Sequence, residues 1–275
     1  MAANLRQSLY RIRSFANHLL MSDLSRRLFV TASEVFCVVG TLFGVGVLGT
    51  RVEESSGGAL AADATLLAPY VSAFSIWSVI YIGLFGYTVV QWLPRYAQSA
   101  RFRSTGTLAA ISMILNATWL LVTQQGWIAL SVVVIFALAI TLGMLLQRLS
   151  TLGAAQGWLE RSVVDATFGL YTGWVAVATC ANVTAALVAQ GVNPSRSVSE
   201  AIAVVVLIVA VGVVGLVLKR TGRRLSLVLA AAWGLGWIAV GRLADQPHSQ
   251  ITGIAAALAA LVVVALWAKS TEVTS

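Results

Sequence analysis

Long apolar runs constrain this chain more than any other feature of its sequence. Of its 275 residues, 59% are hydrophobic and only 10% are charged, whereas a soluble domain carries about 25% charged residues. A helix that crosses a bilayer needs roughly 20 residues, which the runs supply, and they lack the alternation of an outer-membrane barrel. The sequence therefore predicts an all-α integral membrane protein. Its eight spans lie near residues 29–49, 70–93, 106–123, 127–148, 163–189, 200–218, 225–242 and 249–268.

The basic residues fall on one side of these spans. If the N-terminus is cytoplasmic, all of the 18 lysines and arginines except Arg51, Arg196 and Arg242 lie in inside segments. Cytoplasmic loops carry such an excess of positive charge, so both termini are predicted to be cytoplasmic. The net charge of +8 then reflects membrane topology, and no nucleic-acid partner is expected. Residues 1–28 form a basic segment, either an amphipathic helix on anionic lipid or a solvated tail.

The residue types that carry catalysis or bind metals are sparse. Cys37 and Cys180 lie within spans and are expected to be free thiols,. His18 and His248 are far apart and have no companion ligands, which gives a metal site no support. Nucleophile–base pairs and phosphate-binding loops are also lacking. We therefore expect neither an enzyme nor a resident cofactor.

Aromatic and amide side chains recur inside the apolar runs. Trp77 and Tyr81 share a helix face at i, i+4, and Asn116 needs a hydrogen-bond partner at mid-membrane depth,. One explanation is a cavity lined between helices. The other is a set of helix-to-helix hydrogen bonds and interfacial aromatic belts. A further stripe, spaced 3, 4 and 4 residues apart, consists of Tyr171, Trp174, Ala178 and Asn182.

Two carboxylates within or beside the spans suggest an alternative function. Glu34 lies about one turn into the first span, and Asp165 follows Arg161 by four residues, the spacing of a local ion pair,. Intramembrane carboxylates often couple ions to transport. An ion-coupled secondary transporter of a small hydrophobic solute is therefore the second interpretation.

Small residues at helical spacing predict close helix packing. Gly40 and Gly44 on the first span, and Gly106 and Ala110 on the third, are each separated by four residues. Such pairs let two backbones approach each other, within one chain or between two. The third-span pair would suit a homodimer.

Four sequence motifs occur in order on consecutive spans. Together they resemble the motifs of the tryptophan-rich sensory protein and translocator protein family (TspO/MBR, the peripheral benzodiazepine receptors). The motif residues are Phe74, Trp77 and Tyr81 on the second span, Leu115, Asn116 and Trp119 on the third, Gly126 and Trp127 at the start of the fourth, and Tyr171, Trp174, Ala178 and Asn182 on the fifth.

The resemblance implies a five-helix core at residues 29–190, followed by a three-helix C-terminal extension at 191–275. It also implies a bacterial inner-membrane protein, a sensor, receptor or carrier. Its ligand would be hydrophobic and planar, such as protoporphyrin IX, a sterol or a lipid. The family places an aromatic pair over its pocket, but the loop Thr50–Ala68 contains no aromatic residue. The implied ligand-binding residues are Trp77, Tyr81, Asn116, Trp119, Trp127, Tyr171, Trp174, Ala178 and Asn182.

Overall fold

Eight helices long and apolar enough to cross a membrane make up most of the computed structural model, which describes residues 22–222 and 224–269. The prediction of an all-α membrane protein with eight spans is therefore confirmed. The basic segment 1–28 lies mostly outside the described residues. The helices are α1 (Asp23–Gly44), α2 (Ile76–Val90), α3 (Ala100–Gln124), α4 (Ile128–Ser150), α5 (Trp158–Ala189), α6 (Arg196–Thr221), α7 (Leu225–Ala244) and α8 (Gln250–Lys269).

The first helix begins and ends earlier than its hydropathy suggests. The Ser22 hydroxyl caps its start by accepting a hydrogen bond from the Ser25 amide at 3.1 Å, which satisfies one of the free donors of the first turn. The helix ends at Gly44, whereas the sequence predicted that it would end at residue 49. The cause is Gly46, whose φ of 79° turns the backbone out of the helix,.

The small residues of α1 and α3 pack these two helices together within one chain. A Cβ built on Gly40 would lie 2.7 Å from the Ala117 Cβ, so only glycine permits this approach. The face of α3 proposed for a dimer is also occupied, because a Cβ on Gly106 would lie 2.7 Å from the Arg26 Cδ. Ala110 is fully buried. A homodimer, if formed, must use another surface.

The C-terminal helices are joined to the core through α5. Helix α7 packs against α5 on one side and against α8 on the other, and α8 also packs on α6. Gly173 of α5 lies directly against the Leu227 carbonyl, and Gly169 lies against the Ser226 side chain. At this crossing α5 contributes no side chain, so its backbone lies directly against α7.

A partly buried network of charged side chains joins the N-terminal ends of α3, α5 and α7. Asp165 lies in a π-helical turn of α5, Arg161–Ala166, a form often found where a helix is locally displaced. It pairs with Arg101 of α3 and, at 3.2 Å, with Arg224 beside α7. The local pair expected with Arg161 is thus wrong. Asp165 pairs with Arg101 and Arg224 and not with Arg161, which is exposed. Solvent weakens an ion pair less where the partners are shielded from it.

Candidate functional site

Aromatic rings from α2 and α5 meet in one cluster inside the bundle. Trp77 stacks on Tyr81 at a centroid distance of 5.2 Å and meets Tyr171 edge-on at 5.8 Å. Trp174 contacts Trp77 at 6.1 Å and Phe74 at 5.8 Å, both edge-on. Phe74 belongs to the 3₁₀ turn Val71–Ser75, which leads into α2. The face of α2 that carries Trp77 and Tyr81 therefore packs against the face of α5 that carries Tyr171 and Trp174.

The amide of Asn116 joins this cluster to α1. Its Nδ2 donates to the Tyr81 hydroxyl at 3.0 Å and contacts the Cys37 Sγ at 3.5 Å. The expectation that Asn116 bonds across to another helix is confirmed. Tyr171 donates to the Ser112 carbonyl at 3.2 Å, so both tyrosines are held in place by α3.

A second amide connects α3, α4 and α5. Trp119 Nε1 donates to the Asn182 Oδ1 at 2.7 Å, and the Asn182 Nδ2 donates to the Ser131 Oγ at 2.8 Å. All three residues are buried. The indole plane of Trp119 is therefore fixed by hydrogen bonding as well as by packing.

Between these rings lies a small cavity in two parts, here called the inner cavity. The part beneath the first loop has a volume of about 40 Å³, and the deeper part has about 30 Å³. Loop side chains Val52, Leu60, Thr65 and Ala68 form the roof of the first part. Such volumes suit ordered water and have no room for a large ligand. Both parts are lined by Phe74, Trp119, Trp174 and Ala178.

Two polar atoms at the inner cavity lack hydrogen-bond partners among the described residues. They are the Trp174 Nε1 and the Asn116 Oδ1, and both residues line the deeper part of the cavity. An unpaired buried donor or acceptor costs about 1–3 kcal/mol. A ligand carrying one acceptor and one donor would remove that cost.

A larger cleft of about 300 Å³ opens between α1 and α2. Phe74 and Trp77 line both this outer cleft and the inner cavity. Their rings, together with Val52, therefore lie between the two spaces. The rest of the cleft is lined by Thr41, Gly44, Val45, Arg51, Val52, Glu53, Ser78, Tyr81 and Leu120.

Eight of the nine residues implied by the resemblance lie in or directly around this cluster, but Trp127 does not. It is 59% exposed at the start of α4, and it lines none of the cavities described here. The roof residues Val52, Thr65 and Ala68 were missed. The sequence feature that could have indicated this roof is the apolar pair Leu66–Leu67, which ends two residues before Pro69. Leu67 is fully buried in the structure.

Comparison with known families gives one match over most of the chain. A model described as TSPO-like protein matches residues 30–268. The matched range runs from α1 nearly to the end of α8, so it includes the C-terminal helices that were expected to lie outside the common fold. No curated protein and no solved structure matches.

Proposed function

The chain belongs to the TSPO-like protein family, and from that membership we propose that it binds a hydrophobic planar ligand in its inner cavity. The family makes it an integral membrane protein of a receptor and ligand-binding class. The proposed ligand is a tetrapyrrole such as protoporphyrin IX, a sterol or another lipid. Its role is sensory or carrier-like, by binding and not by catalysis.

The observation that carries the proposal is the pairing of aromatic faces with unmatched polar atoms. Trp77, Trp119 and Trp174 surround the deeper part of the cavity, and indole faces offer large stacking areas. Trp174 also brings an unpaired N–H donor, and Asn116 brings an unpaired acceptor. This combination fits a flat apolar molecule with polar atoms on its edge.

The cavity must widen before such a ligand binds. Ligand pockets usually measure about 300–1,000 Å³, whereas the two parts of the inner cavity measure about 40 and 30 Å³. Ala178 lines both parts, and its small side chain leaves the space between the rings open. Its replacement by a large ring would fill the site.

Protoporphyrin IX titration, followed by tryptophan quenching, tests the proposal. We expect saturable micromolar quenching that Ala178→Phe abolishes. Val133→Phe is the matched control, because Val133 is 63% exposed on α4 and lines no described cavity. Equal, non-saturating quenching in all three proteins would mean partitioning into detergent and would refute tetrapyrrole binding at this site.

A buried carboxylate favours a second candidate, an ion-coupled secondary transporter. Glu34 is 5% exposed, and its Oε2 has no hydrogen-bond partner among the described residues. Unpaired intramembrane carboxylates are typical of proton and ion pathways. Asp165 is a poorer candidate because two arginines pair with it. If Glu34→Gln abolishes pH-dependent uptake of a hydrophobic solute into vesicles, the chain is a transporter; a simple binder keeps its affinity.

We also propose a bacterial inner-membrane location with both termini in the cytoplasm, supported by the bias of basic residues,. Substituted cysteines test the orientation in a background without Cys37 and Cys180. Glu54→Cys lies in the exposed first loop, and Ala154→Cys lies in the exposed turn between α4 and α5. An impermeant maleimide applied to intact cells should label only the first, and labelling of only the second would reverse the topology.

A further inference from the structure

Helix α7 binds the loop that covers the inner cavity. Arg242 is fully buried, and its Nη1 and Nη2 donate to the Thr65 and Ala62 carbonyls at 2.7 and 2.8 Å. A second Nη2 contact, at 3.0 Å, reaches the Gln246 carbonyl. One guanidinium thus ties the loop to the end of its own helix.

The same helix holds the next stretch of the loop at two more points. The Tyr70 amide donates to the Trp237 carbonyl at 3.1 Å, and their rings stack at 5.7 Å. Trp233 Nε1 donates to the Ala73 carbonyl at 3.0 Å. The chain from Ala62 to Ala73 is therefore attached to α7 at four residues, Ala62, Thr65, Tyr70 and Ala73.

Behind this loop lies the largest of the described cavities, here called the vestibule. It has a volume of about 410 Å³ and opens between α5 and α6. Its walls are mainly aliphatic side chains, such as Leu187, Val188 and Ile202, with Arg196 and His248 among the polar lining residues. These walls are compatible with an apolar solute.

Thr65 belongs to the walls of both the vestibule and the inner cavity. It is 5% exposed, and its Oγ1 has no hydrogen-bond partner among the described residues. Thr65 is the one described loop residue that lines both spaces; Leu60 and Ala68 lie on the inner-cavity side of the loop, and Ala64, Leu66 and Leu67 lie on the vestibule side. On the side of the outer cleft, the partition consists of Val52 and of the rings of Phe74 and Trp77, each of which meets Trp174 edge-on.

We propose that the vestibule is the entry site of the ligand and that Arg242 is the latch of segment 62–67, the gate between vestibule and inner cavity. Displacement of the gate joins the vestibule, which at about 410 Å³ already has the size of an ordinary ligand pocket, to the part of the inner cavity beneath the loop, of about 40 Å³. The inference rests on the proposed function for the identity of the solute, but the latch can be tested without any ligand. Arg242 is a positioning residue, since it lines neither space.

The first experiment measures gate opening by thiol labelling. Thr65→Cys, in a background without Cys37 and Cys180, is reacted with a small maleimide. Arg242→Lys should raise the labelling rate about tenfold, because a lysine keeps the charge but not both directed hydrogen bonds. Trp233→Phe removes the bond to Ala73 and part of the ring that meets Trp237 edge-on, and it should raise the rate less because the contacts of Arg242 with segment 62–67 remain.

Arg224→Lys is the matched control at the opposite end of α7, where the arginine contacts Asp165 and the Leu146 carbonyl. It should leave the labelling rate at position 65 unchanged. An unchanged rate in Arg242→Lys would overturn the latch, whatever the rate in Trp233→Phe, because Ala73 lies outside segment 62–67. An equal rise with Arg224→Lys would do the same, since it would indicate general loosening.

The second experiment locates the entry site by stopped-flow quenching with protoporphyrin IX. Ser199→Phe narrows the vestibule and should slow association and dissociation severalfold with little change in Kd. Its neighbour Val198→Phe, at a residue that is 47% exposed and outside the vestibule lining, should change neither rate.

Val45→Phe narrows the competing outer cleft. If it slows both rates while Ser199→Phe does not, entry through the vestibule is wrong. If no protein binds the porphyrin, the proposed ligand fails, while the labelling experiment still decides the role of Arg242.

Discussion

Two tryptophans of the inner cavity differ in a single hydrogen bond. Trp119 donates its indole N–H to Asn182 at 2.7 Å, whereas the Nε1 of Trp174 has no partner among the described residues. Both rings are buried and line the same space. The pair therefore separates a structural role of the N–H group from a ligand-binding one.

Replacement of each tryptophan by phenylalanine should separate these roles. Both changes remove similar ring area, but Trp119→Phe also leaves the Asn182 Oδ1 with only the longer hydrogen bond from the Ser131 Oγ, at 3.3 Å. We expect it to lower the free energy of unfolding by about 1 kcal/mol more than Trp174→Phe, the usual net value of a hydrogen bond. Trp174→Phe should instead weaken protoporphyrin IX binding more. Thermal unfolding and quenching titrations measure the two effects, and the reverse order in both would refute the assignment.

At the scale of elements, the contact between α5 and α7 depends on glycine. Gly173→Ala would push a methyl group into the Leu227 carbonyl. Because backbone cannot rotate away as a flexible side chain can, we expect a loss of about 1–3 kcal/mol of stability, as for other overpacked cores. Gly143→Ala on α4 is the control, since nothing lies within 4 Å of its added Cβ. Equal melting temperatures for the two variants would contradict the close contact.

The charge network at the other end of these helices gives another prediction. Asp165→Asn removes the carboxylate shared by Arg101 and Arg224. Hydrogen bonds to charged groups contribute about 1.5–3 kcal/mol, so a loss of about this size is expected in a denaturation assay. Arg161→Ala should have little effect, because its side chain is exposed and no ion pair joins it to Asp165. A larger effect of Arg161→Ala than of Asp165→Asn would instead support an ion pair between Arg161 and Asp165.

The helices were predictable from the sequence, but many of their contacts were not. A bilayer demands long apolar runs, and helical periodicity places Trp77 above Tyr81, so these features follow from local order. Asp165 shows the limit: it lies within four residues of an arginine, yet its partner Arg101 is 64 residues away. Arg242 binds backbone carbonyls, which leave no pattern of side chains in the sequence.

At the scale of the whole molecule, the C-terminal helices are expected to be necessary for the core. Deletion of residues 191–275 would uncover Gly169 and Gly173 and release the loop held by Arg242. We expect this truncated protein to lose monodispersity and ligand binding. Deletion of residues 250–275 removes only α8, whose main contacts are with α6 and α7, and should preserve binding. A stable, porphyrin-binding core of residues 1–190 would show that the extension is dispensable.

The glycine contact also sets a dimension of the molecule. Helix α5 carries Trp174 and Ala178, which form one wall of the inner cavity, while α7 carries Arg242, which holds the roof. Because the Gly173 backbone lies directly against the Leu227 carbonyl, α5 and α7 are fixed relative to each other. The distance between this wall and the roof, and so the thickness of a ligand that fits beneath the latched roof, is then set by a main-chain contact. Substitutions of the lining side chains, such as Ala178→Phe, would change the space between the rings, while the distance between the two backbones at Gly173 stays the same.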